Sequence, residues 1–127
     1  MLLALDTATR SIGLALYDGV SVLHERMWRA GNRHTVVVSE MIADSLAEHG
    51  FSMEAVEAVA IATGPGSYTG LRIGAAVAKG LALARPPALI GLPTFATLAA
   101  AQPAAPERRA QGVDLGLYPR LVHHRGL

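Results

Sequence analysis

"AVAIATGPGSYTGLRIGAAVAKGLALA", residues 58–84, is the stretch on which the fold turns. Residues 58–63 have the length and uniform apolarity of a strand buried on both faces. Gly64, Pro65 and Gly66 break that run, and from Gly70 to Ala84 the composition is helical, with Ile73, Val77 and Leu81 as the larger apolar residues. A strand, a glycine turn and a helix in succession belong to a layered α/β domain whose later strands run parallel through right-handed crossovers.

The flanking sequence extends this pattern. Upstream, "LLALD" at 2–6 and "IGLALYD" at 12–18 read as strands, the second with Ile12, Leu14 and Leu16 on one buried face. Asp18-Gly19 is a two-residue hairpin signal leading into a third strand at 20–28, with Val20, Val22, His24 and Arg26 on one side. These three strands form an antiparallel meander. In residues 34–49, Val38, Met41, Ile42, Ser45, Leu46 and His49 recur at helical spacing, and Gly50 sits where a left-handed cap belongs. Ser52 is placed to cap one further turn. Downstream, "PPALIGL" at 86–92 reads as another buried strand. "PTFATLAAA" at 93–101 reads as a helix capped by Thr94, with Phe95 and Leu98 packed inward. The expected order is three strands, helix, strand, helix, strand, helix.

Residues 102–127 break the pattern with Pro103, Pro106, Pro119, paired arginines and paired histidines, leaving "VDLGLY" as a short candidate strand in an irregular tail. Of the eleven basic side chains four lie in this tail, against two of the ten acidic ones. The body therefore lacks the dense cationic stripe of a direct nucleic-acid binder. With no cysteine among 127 residues, stability must come from packing, which fits a reducing, cytoplasmic setting. No uninterrupted apolar run has the length of a membrane span.

The glycine loop fails three templates by identifiable residues. A P-loop needs lysine and a hydroxyl after its last glycine, but Leu71 and Arg72 follow Gly70. Gly64, Gly66 and Gly70 are spaced one residue too far for the dinucleotide fingerprint. Ser67 lacks the flanking glycines of a hydrolase elbow. Two readings remain. In one, the loop is a joint in which Gly64 and Gly66 relieve strain, Ser67 or Thr69 caps the helix and Tyr68 packs over the turn. In the other, Gly64, Gly66, Ser67, Thr69 and Gly70 cradle an anion at a helix N-terminus, beside Asp6 and Thr7. Asp6 itself reads either as the holder of a metal–phosphate group or as a turn-forming carboxylate. No protein metal site is expected, because the residue four after His34 is Val38. No catalytic residue is expected either.

The helix at 70–84 is thin, with glycine at 70, 74 and 80 and alanine at 75, 76, 78, 82 and 84. Glycine there costs helix stability, so close packing must offset it. That packing is against its own sheet or against a partner helix.

"LALDTATRSIGLAL", "GPGSYTGLRIGAAVAKGLALA" and "LIGLPTFATLA", in that order over residues 1–101, closely resemble the bacterial TsaB (YeaZ) family of tRNA threonylcarbamoyladenosine biosynthesis. The resemblance implies an RNase H-like lobe of the actin-like ATPase superfamily, with a five-stranded mixed sheet. It also implies a non-catalytic scaffold for the transferase TsaD, which modifies N6 of adenosine 37, with the ATPase TsaE as a further partner. tRNA would be met only through that complex, and the chain would hold no cofactor of its own, ATP and magnesium belonging at most to the assembly. Pairing in the family uses the first two helices, which makes Val38, Met41, Ile42, Ile73, Ala76, Val77 and Gly80 the candidate contacts, in a heterodimer or a homodimer. The catalytic paralogue's His-x-x-x-His motif is reduced here to His34 and Val38. Members carry a second lobe that residues 102–127 do not resemble, so the expectation is a first lobe at 1–101 and a truncated, irregular tail. The competing readings are a nucleotide-binding enzyme of the same superfamily, built on Asp6 and the glycine loop, and an inactive fragment.

Overall fold

The computed structural model describes residues 1–29, 34–84 and 86–101, with the side chains of 34–36 and 101 outside that description. The "VDLGLY" segment and the rest of the tail lie outside the described residues. Two compact units divide the chain, Met1–Thr94 and Phe95–Leu127.

The first unit holds strands β1 (Leu2–Asp6), β2 (Ser11–Tyr17), β3 (Val22–Arg29), β4 (Ala58–Ala62) and β5 (Ala88–Leu92), with helices α1 (His34–Glu48) and α2 (Tyr68–Ala84). The sheet order is β3-β2-β1-β4-β5. β1, β2 and β3 pair antiparallel, while β4 runs parallel to β1 and β5 parallel to β4. This is the expected meander followed by crossovers, and a five-stranded mixed sheet with flanking helices.

Register explains the core. Leu3 faces Leu16, Leu5 faces Leu14, and Leu3 also faces Val59 across the parallel pair, so these side chains share one face of the sheet. Val38, Ile42 and Leu46 of α1 and Val77 and Ala78 of α2 join them in one buried cluster. Each large aliphatic side chain buried there contributes about 1.5–3 kcal/mol. β4 has Val59, Ala60 and Ala62 buried between its neighbours.

Several local expectations are corrected. The turn after β2 is a four-residue loop rather than a two-residue hairpin: Asp18 accepts the amides of Val20 and Ser21, each at 2.7 Å, and Gly19 takes φ +105°. Those backbone amides, Ser21 first and Val20 second, hold the Asp18 carboxyl below its ordinary value. Beyond the loop the register shifts, Leu16 pairing with His24 but Tyr17 with Val22. The extra residue, Leu23, puts Val22 and His24 on opposite faces, and Val20 falls in the exposed loop. His24, Arg26 and Trp28 therefore share the core face of the sheet.

α1 ends as expected at Gly50, φ +72°, where Phe51 N–H reaches the Leu46 carbonyl at 2.9 Å and Gly50 N–H the Ala47 carbonyl at 3.0 Å. Ser52 opens a short 3-10 turn, Met53–Ala55, without a side-chain cap. Its carbonyl instead accepts Ala55 N–H at 3.0 Å, which suffices for a single turn. β5, expected to be buried, is exposed along its length, because it is an edge strand paired only with β4. Helix α3 (Thr94–Ala101) leaves Phe95 and Leu98 exposed rather than packed inward. No helix of the described residues is long and apolar enough to cross a membrane.

Candidate functional site

The loop between β4 and α2 is pinned on two sides. Toward β5, Thr63 N–H donates to the Leu92 carbonyl and Thr94 N–H to the Gly64 carbonyl, both at 2.8 Å. Toward the β1–β2 turn, Ser67 N–H donates to the Ala8 carbonyl at 2.7 Å and the buried Thr7 hydroxyl donates to the Gly70 carbonyl at 2.7 Å. Gly64 itself takes φ +110°, which a side chain would oppose.

The other glycines serve close approach. A Cβ at Gly66 would overlap the Ala8 carbonyl and lie 2.8 Å from the Ala8 side chain. One at Gly70 would overlap the Thr7 carbonyl oxygen, and one at Gly74 the Thr7 hydroxyl. The first turns of α2 thus press directly on Thr7 and Ala8. Ser67 is the N-cap, accepting Gly70 N–H at 3.2 Å on its hydroxyl. Thr69 is exposed and makes no such cap. Tyr68 does not cover the turn: it is 74% exposed, because the β1–β2 turn already fills the space beneath the loop. Its ring lies 5.5 Å from the Arg72 guanidinium, one helical turn on.

Beside this joint lies a pocket of about 420 Å³ lined by Thr7, Thr9, Arg10, Ile12, Arg29, Ser67, Thr69, Gly70 and Ile73. Four of the loop residues expected to meet an anion, Thr7, Ser67, Thr69 and Gly70, come together here. Gly64 and Gly66 stay outside the lining, spent on backbone geometry. Asp6 also stays outside, its carboxylate accepting Ala8 N–H at 2.9 Å in the turn-forming role. Arg10 and Arg29 were not legible as site residues. They stand 19 positions apart, on the β1–β2 turn and the end of β3, and only the meander brings them to one wall. Among the described residues no carboxylate lines the pocket, and its two guanidinium groups suit an anion.

Of the expected contact residues, Val38, Ile42 and Val77 are buried in the lobe's own core and have no surface to lend a partner. Met41 and Ile73 are half-buried. Ala76 and Gly80 are exposed, and a Cβ at Gly80 would meet no described atom within 4 Å beyond its own turn of helix. The surface they begin continues to Leu83, which is 89% exposed and was not singled out from sequence.

Thr7 is the side chain on which the joint depends. Thr7→Val keeps its shape but removes the donor to Gly70, and should cost about 1–2 kcal/mol in urea unfolding. Thr7→Ser should recover most of that loss.

A family model described as TsaD, tRNA N6-adenosine threonylcarbamoyltransferase, matches residues 28–111. The chain is 39% identical over 99 residues to the tRNA threonylcarbamoyladenosine biosynthesis protein TsaB of Escherichia coli, covering 77% of this chain and 42% of that protein. Among solved structures, YeaZ from Pseudomonas aeruginosa superposes with a TM-score of 0.71 at 36% identity, covering 77% of this chain and 46% of that one. RuvC of Thermus thermophilus, 11% identical with a TM-score of 0.54, shares the fold alone. The fold is therefore RNase H-like, and the chain spans less than half the length of the TsaB and YeaZ proteins it matches.

Proposed function

The chain belongs to the TsaB (YeaZ) family, within the reach of the TsaD family model, and on that premise we propose that it is a non-catalytic partner of TsaD in tRNA threonylcarbamoyladenosine biosynthesis. The observation that carries this reading is the outer side of α2. Ala76, Gly80 and Leu83 fall at i, i+4 and i+7, so they line one side of the helix, all exposed, with the exposed Lys79 at its margin. An exposed leucine beside a glycine and an alanine is suited to another helix that approaches closely. Half-buried Met41 and Ile73 are the next candidates for that contact. The reading places the chain in the cytoplasm, with TsaE joining the assembled complex and tRNA bound through the complex. Mixing the purified chain with TsaD and weighing the product by light scattering should give a heterodimer. A persistent mixture of monomers counts against the reading, and a mass of two copies of this chain moves the same surface to a homodimer.

The pocket favours a second reading, a nucleotide- or phosphate-binding lobe. Arg10, Arg29, the Thr69 hydroxyl and the N-terminus of α2 together offer donors to a phosphate group, while the Thr7 and Thr9 hydroxyls already donate to the Gly70 and Ser11 carbonyls. Calorimetry with ATP and magnesium separates the two: saturable binding with turnover supports an enzyme, and the scaffold reading expects no turnover.

A further inference from the structure

We propose that His24, Glu48 and His49 form a divalent-cation site, with zinc as the ion their donor chemistry fits. One donor atom from each lies within 4.8 Å of the other two. His24 comes from β3, on the core face of the sheet, and Glu48 and His49 from the last residues of α1 before the Gly50 stop. The two imidazole rings sit 4.9 Å apart and 70° to one another, and His24 Nδ1 lies 4.0 Å from Glu48 Oε2.

The protonation pattern suits a metal. His49 Nδ1 is 3.1 Å from the Ser45 carbonyl, an oxygen that only accepts, so Nδ1 is the donor and the neutral ring presents its lone pair on Nε2. A backbone carbonyl fixing the tautomer in this way is the usual outer partner of a metal-binding histidine. His24, with a side chain 14% exposed, has a buried Nε2 without a hydrogen-bond partner among the described residues. Its Nδ1 stands beyond hydrogen-bonding reach of the nearest carboxylate. Two imidazoles and one carboxylate match zinc sites that keep a fourth position for solvent. The exposed sides of Glu48 and His49 leave that position open. The site also lies at the C-terminal end of α1, where the helix dipole favours positive charge. Zinc–ligand bonds of about 2.0–2.2 Å require the donors to close by roughly an ångström, which exposed Glu48 and His49 can supply by rotamer adjustment.

The test is calorimetric titration of the full chain with zinc chloride, beside the variants His24→Ala, Glu48→Ala, His49→Ala and a His123→Ala/His124→Ala control. One equivalent should bind, each of the first three changes should weaken it by more than about tenfold, and the control should leave it intact. Glu48 and His49 are exposed, so their variants remain informative even where His24→Ala disturbs folding. Absence of saturable binding, binding that survives both Glu48→Ala and His49→Ala, or loss on removing the tail histidines would each overturn the proposal. Cobalt(II) in place of zinc should give the intense visible absorption of four-coordination, and a weak six-coordinate spectrum counts against the site.

Discussion

Gly70→Ala should destabilise the lobe by about 3 kcal/mol or more, toward the upper end for overpacked sites, while Gly80→Ala in the same helix should stabilise it by about 0.5–1 kcal/mol. By intrinsic helix propensity both changes are favourable, since alanine loses less backbone entropy than glycine. Packing reverses the sign at one of them. A methyl at position 70 would overlap the Thr7 carbonyl oxygen, which is backbone within a central strand–turn connection and cannot rotate aside. Any relief must separate α2 from the β1–β2 turn, which also weakens the Thr7 hydroxyl bond to the Gly70 carbonyl. At position 80 a methyl meets no atom within 4 Å beyond its own turn of helix among the described residues. For a domain of this size the first change should lower the melting temperature by more than about 12 °C and the second should raise it by a few degrees. Thermal unfolding followed by circular dichroism reads both, and equal effects at the two positions would contradict the close approach at Thr7.

Ala76→Arg should leave the lobe's own stability within about 0.5 kcal/mol, because position 76 is exposed and the guanidinium remains solvated. On the proposed pairing with TsaD it should lower affinity on the order of 100-fold. An arginine carried into a close helix contact already bordered by Lys79 loses its water without gaining a partner, and its bulk holds the helices apart. Light scattering over a dilution series, with circular dichroism to establish that the variant is folded, reads the two effects separately. A folded variant that pairs with unchanged affinity places the interface away from Ala76, Gly80 and Leu83. Leu83→Ala offers a milder companion: it trims the most exposed large apolar residue of α2 and should weaken pairing without adding charge.

The element order was readable because periodicity and glycine placement are local. Alternation in β2, the uniform apolarity of β4, the four-residue spacing in α1 and the Gly50 stop all report on neighbours within a few positions. Where the sequence reading went astray, the deciding partner was distant. The apolar "ALIGL" reads as buried, yet its place at the sheet edge exposes it. One inserted residue in β3, visible only against the β2 ladder, sends Val22 to the face opposite His24. Tyr68 is a plausible cover for a glycine turn until the β1–β2 turn occupies that space.

The sites divide in the same way. Ser67, Thr69 and Gly70 were legible as candidates in the glycine loop, and Thr7 in the turn after β1, because each belongs to a contiguous motif. Arg10 and Arg29 were not, nor was the cluster of His24, Glu48 and His49, since neither set has a spacing along a single helix or strand that would give it away. By itself, then, the sequence determined the elements, their order, the family and the presence of a glycine joint, because each rests on short-range periodicity or on one contiguous motif. Only the tertiary structure decided what the glycines are for, which helix residues remain free for a partner and which charged groups meet. Those are properties of register and approach between segments tens of residues apart, and no local pattern encodes them.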